Sequence, residues 1–69
     1  MTLEQAIGNA LKELPTGYEI QIAFSRDSIG VSLFSPDGRL ILSDRDFDKL
    51  PLHEQVDKAL EISKRKAYK

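Results

Sequence analysis

Between Tyr18 and Ser25 apolar and polar residues alternate without a break. Tyr18, Ile20, Ile22 and Phe24 fall on one side of an extended chain, and Glu19, Gln21, Ala23 and Ser25 on the other. A period of two buries one face of a β-strand, whereas a helix repeats every 3.6 residues. This segment is therefore a strand with one face turned to a core. Arg26-Asp27 makes a short connection, and a second strand follows over about Ile29 to Phe34. With Ser25 opposite Ser28, Ile22 meets Val31 and Ile20 meets Leu33, which keeps the apolar sets together.

Ser35-Pro36-Asp37-Gly38 is a turn with a reason for each residue. Pro36 presets φ, Asp37 accepts the bridge conformation, and Gly38 supplies a left-handed residue. A third strand, about Arg39 to Ser43, completes a hairpin with the second. Two registers are open. A three-residue loop ending in a glycine bulge pairs Ser35 with Arg39, Phe34 with Leu40, Leu33 with Ile41 and Ser32 with Leu42. Phe34, Leu40 and Leu42 then share the face opposite the core, joined by Ala23 from the first strand. A shift of one residue pairs Phe34 with Arg39 and turns Leu40 and Leu42 into the core. The turn residues fit the bulged register better.

The two ends of the chain read as helices. Leu3, Ile7, Ala10, Leu11 and Leu14 recur at helical spacing with Ala6 beside them, and Thr2 with Gln5 fits a capping box. Pro15 disfavours helical geometry at Leu14, so this helix spans about residues 3–14. Pro51 suits the first turn of a second helix over about 51–66, with Leu52, Val56, Ala59 and Ser63 as a narrow stripe flanked by Leu60 and Ile62. Three strands with short links form an antiparallel meander, and both helices must bury their stripes on it. The expected fold is a two-layer α+β domain of order α-β-β-β-α, spanning residues 1–69, with both helices on the face holding Ile20, Ile22, Phe24, Val31 and Leu33.

That order of elements resembles the double-stranded-RNA-binding domain and the small bacterial RNA-cleaving toxins. The RNA-binding domain grips phosphates with a lysine cluster at the start of its second helix. Here that segment reads Pro51, Leu52, His53, Glu54, Gln55 and, further on, Asp57, with no lysine before Lys58. The toxins carry a histidine on the sheet, whereas His53 lies on the second helix. The resemblance is one of topology, and no function is carried over from it.

The 69 residues include no cysteine and a single histidine, which removes disulfides, thiolate nucleophiles and cysteine zinc sites and leaves no histidine-based triad. No apolar run approaches the roughly 20 residues of a membrane span, and the first residues do not read as a signal peptide, so a cytoplasmic protein is expected. Asp44-Arg45-Asp46-Phe47-Asp48 has the opening spacing of a calcium loop, but Lys49 stands where a glycine is needed and Gln55 where a bidentate Glu should close the sphere. Adjacent helical residues point about 100° apart, so His53 and Glu54 do not form a dyad. No catalytic, cofactor or metal site is expected.

The net charge of −1 hides an asymmetry. Residues 1–61 hold six basic and eleven acidic side chains, while residues 62–69 hold Lys64, Arg65, Lys66 and Lys69 with no acid. A basic end can follow phosphates, and a nucleic-acid-binding domain using these four residues is the alternative reading. The acidic body argues against it, and the cations suit the C-terminal end of a helix dipole. The leading expectation is a small non-enzymatic protein-binding module, a regulator or adaptor of the kind that would suit a phage or mobile element. It would bind another protein or itself through Ala23, Phe34, Leu40 and Leu42.

Overall fold

The computed structural model describes residues 2–43 and 50–68. In chain order it holds helix α1 (Leu3–Glu13), strands β1 (Glu19–Phe24), β2 (Ile29–Phe34) and β3 (Leu40–Leu42), and helix α2 (Leu52–Ala67). The strands form one antiparallel sheet in the order β1-β2-β3. This is the expected α+β meander. The acidic stretch with the calcium-like spacing, Asp44 to Lys49, lies outside the described residues.

Local chemistry sets the helix ends. The Gln5 amide N–H donates to Thr2 Oγ1 at 3.1 Å and the Thr2 N–H donates to Gln5 Oε1 at 2.9 Å, closing the capping box in both directions. Leu14 leaves helical geometry at ψ 125°, as a residue before proline must. Pro51 stands one position earlier than expected, as the N-cap of α2, where its carbonyl accepts from the Glu54 and Gln55 N–H groups at 3.0 Å each.

The core joins Ala6 and Ala10 of α1, Val31 and Leu33 of β2, and Val56, Ala59 and Leu60 of α2. Helix α2 lies across β2 and touches β1, while α1 packs chiefly on α2. That arrangement overturns part of the expected α1 stripe. The two alanines face inward, and Leu11 is 81% exposed. Small residues allow the helices to approach closely, and α2 answers with Ala59 and Ser63, both fully buried. The Ser63 hydroxyl donates to the Leu60 carbonyl at 2.6 Å, so its burial leaves no donor unmet.

The β1–β2 register is as read: Ile20 opposite Leu33, Ile22 opposite Val31, Phe24 opposite Ile29. The depth of burial is not. Val31 and Leu33 are fully buried, but Phe24, placed in the core by its periodicity, is 80% exposed, and Ile29 opposite it is 50% exposed. Alternation decides which face a side chain takes, and what covers that face decides its burial. The hairpin's far end is left uncovered.

The second hairpin starts in the bulged register and then leaves both expected registers, slipping in the direction opposite to the one-residue shift. The Ser35 N–H donates to the Arg39 carbonyl at 2.9 Å and Phe34 lies opposite Leu40, as in the bulged reading. The next pair is Leu33 with Leu42, not Leu33 with Ile41, because the ladder slips by one residue there. Ile41 is the extra residue of this bulge. Leu42 thus comes opposite a core residue, and both Ile41 and Leu42 pack against the core half-buried.

Candidate functional site

The face of the sheet without helices is less apolar than its sequence suggested. In β1 it carries Glu19, Gln21 and Ala23, and in β2 Gly30, Ser32 and Phe34, with Leu40 from β3. Phe34 and Leu40 are neighbours there, the first half-buried and the second 54% exposed. Leu42 has gone to the core side. Ala23 is separated from Phe34 by the Gln21–Ser32 pair, and with Gly30, Ser25, Ser28 and Ser32 it lines a shallow depression of about 270 Å³. Of the four residues expected to form one strip, the structure brings together Phe34 and Leu40.

A longer apolar surface lies on the helix-bearing side. Because α1 rests on α2, a groove of about 120 Å³ opens between α1 and β1, lined by Ile7, Ala10, Leu11, Leu14, Ile20 and Ile22, with buried Val56 at its floor. Ile20 and Ile22 continue along the strand into Phe24, and Ile29 sits beside Phe24 on the same face. Leu11 and Ile22 in the groove, with Phe24 and Ile29 beyond its end, are the exposed large apolar side chains of this side. Periodicity had assigned three of them to the core. The signal that could have found them is the small size of the residues opposite: Ala6, Ala10 and Ala59 cannot cover two six-residue strands to their ends.

The basic end is partly engaged with acid. The Lys64 ammonium pairs with the Glu13 carboxylate, which draws together the C-terminal ends of the two helices, and the Arg65 guanidinium pairs with Glu61 one turn earlier. Lys66 is exposed, and Lys69 lies outside the described residues. Among the described residues no three His, Asp or Glu side chains gather as metal ligands. Glu54 lines a shallow hollow with Leu50, Asp57, Lys58 and Glu61 that does not include His53, and among the described residues no helix is long and apolar enough to cross a membrane.

Asp37 is a titratable group with a displaced pKa. Its carboxylate accepts from the Ser35 hydroxyl and, at 3.4 Å, from the Arg39 N–H, and these bonds hold it below the ordinary value of 3.8. The Arg39 guanidinium stands 3.6 Å away in full solvent. This cluster fastens the turn. It faces no cavity.

The chain matches no known protein family, and no curated protein or solved structure is significantly similar to it.

Proposed function

We propose that the chain is a small, non-enzymatic protein-binding module of the cytoplasm that receives its partner on the surface between α1 and β1. One observation carries the reading: Leu11 and Ile22 stay in water at a groove already formed, and exposed Phe24 and Ile29 extend the apolar surface past its end on the same face of the sheet. Burying a side chain such as Phe or Leu is worth about 2 kcal/mol. A domain of 69 residues has little stability to spare, so leaving several such side chains outside its core favours a use in binding. The groove's lining is almost wholly apolar, which suits a polypeptide side chain and offers nothing to a phosphate.

Site-specific photo-crosslinking in cells tests the assignment. A photoreactive phenylalanine analogue is placed in turn at Phe24, at Leu40 and at Lys66. The expected outcome is a polypeptide adduct from position 24. Adducts confined to position 40 would move the site to the open face, and nucleic-acid adducts from position 66 would replace the reading altogether.

A further inference from the structure

We propose that the partner is a second copy of this chain, which lays its own β1 antiparallel to the outer edge of β1 with Ile22 on the twofold axis. The proposal rests on the binding-module reading and names the occupant of its surface.

The hydrogen-bond parity of the hairpin carries the argument furthest. The Ser25 N–H donates to the Ser28 carbonyl at 2.7 Å. In an antiparallel ladder, residues bonded to one neighbour alternate with residues whose N–H and C=O point the other way. Counting back from Ser25, the inward residues are Ala23, Gln21 and Glu19. Phe24, Ile22 and Ile20 therefore present their backbone groups to the outer edge, where no strand pairs with them among the described residues.

Twofold pairing requires one residue to lie opposite its own copy. With Ile22 in that place, Ile20 falls opposite Phe24 of the second copy, and every outward N–H meets an outward C=O. Moving the axis to Gln21 puts Phe24 opposite Tyr18, whose N–H is already donated to the Pro15 carbonyl at 3.1 Å. Moving it to Ala23 puts Ile20 opposite Arg26, in the turn beyond the strand. The Ile22 register keeps the whole set within the strand. It also sets Glu19 opposite Ser25, so no like charges meet.

The side chains agree with the backbone. Ile20, Ile22 and Phe24 share the helix-bearing face, so Phe24 of the second copy arrives beside Ile20, at the rim of the groove that Leu11 and Leu14 flank. The edge also lacks the usual devices against pairing. From Ile20 to Phe24 there is no charge, proline or bulge, whereas β3 is three residues long and bulged.

The native chain has no cysteine, so single-cysteine variants report on register without interference. Opposed Cα atoms of a hydrogen-bonded antiparallel pair lie about 5.5 Å apart, inside the roughly 4.4–6.8 Å that a disulfide spans. Under mild oxidation Ile22→Cys is expected to give a covalent dimer. Ile20→Cys and Phe24→Cys each form no covalent dimer alone and give a mixed covalent dimer when combined. Sedimentation equilibrium of the unaltered chain is expected to show the mass doubling from 7.8 kDa as concentration rises. A dimer linked through Leu40→Cys but not Ile22→Cys overturns the proposal. So does a monomer at every concentration. If the Phe24 photo-adduct then still contains another protein, the binding-module reading stands without self-pairing, and if no adduct forms, both fall.

Discussion

Gly17 lies so close to Pro36 that a Cβ built on the glycine would stand 2.8 Å from Cβ of the proline and 3.0 Å from its Cγ. Gly17 belongs to the turn that enters β1, and Pro36 to the turn that joins β2 to β3. Their contact closes one end of the sheet, next to the Glu19–Phe34 pair. Gly17 also holds φ at +90°, where a side chain is strained.

Gly38 separates these two effects. It has nearly the same φ, +88°, but open space around the position of its missing Cβ. Gly38→Ala is expected to cost only the conformational part, about 1 kcal/mol, and Gly17→Ala about 2–3 kcal/mol because the contact adds to it. In a domain this small each kcal/mol shifts the melting temperature by about 4–8 °C. Thermal melts of the two variants therefore resolve the difference. Equal melting temperatures would mean that Pro36 yields and the contact is unimportant.

The β3 bulge makes neighbouring residues unequal. Leu40 is more than half exposed, whereas Leu42 is opposite Leu33 and packs against the core. Leu40→Glu is expected to change stability by no more than about 0.5 kcal/mol. Leu42→Glu pushes a carboxylate against apolar neighbours and is expected to cost about 2 kcal/mol or more. Urea midpoints of both variants beside the unaltered chain check the bulge directly. A stable Leu42→Glu would restore the continuous strip of Phe34, Leu40 and Leu42.

The elements were legible in the sequence because each carries a local signal. Thr2 and Gln5 cap α1, Pro15 ends it, alternation marks β1, and Pro36-Asp37-Gly38 makes the turn. What lies on top of what was less legible. Nothing in the spacing of Leu3, Ile7, Leu11 and Leu14 says that Ala6 and Ala10 will meet a second helix and turn Leu11 outward. Likewise, Phe24 alternates correctly and stays exposed, since the helices run out before the hairpin does. The slip between Leu40 and Leu42 has no turn residue to announce it. For that reason the candidate site lies on the helix-bearing side of the sheet rather than on the open face.

The turn cluster predicts a specific pH response. The Ser35 hydroxyl, and secondarily the Arg39 N–H, lower the Asp37 pKa in the folded state. The stabilisation this represents is present above the unfolded carboxylate's pKa and is lost as pH falls through the lower folded value. Asp37 is largely exposed, so the titration itself, followed by the side-chain carboxyl chemical shift, is the measurement. Its midpoint is expected below 3.8 in the unaltered chain and closer to that value in Ser35→Ala. An unchanged midpoint would remove the hydroxyl as the principal cause.

The pairing of Lys64 with Glu13 and of Arg65 with Glu61 bears on the nucleic-acid alternative. Both pairs are well solvated, so either contributes no more than about 1 kcal/mol to stability. Their effect on binding is larger in principle, because a cation that already faces a carboxylate releases less from a phosphate's counterion atmosphere. Duplex RNA or DNA is therefore expected to bind weakly or not at all near physiological salt. Glu13→Gln combined with Glu61→Gln, which frees both cations, should strengthen binding and steepen its salt dependence toward about −0.9 per phosphate neutralised. Filter binding across a salt series measures both quantities. Tight binding by the unaltered chain, lost on replacing Lys64, Arg65 and Lys66 with Ala, would transfer the function from the β1 surface to the end of α2.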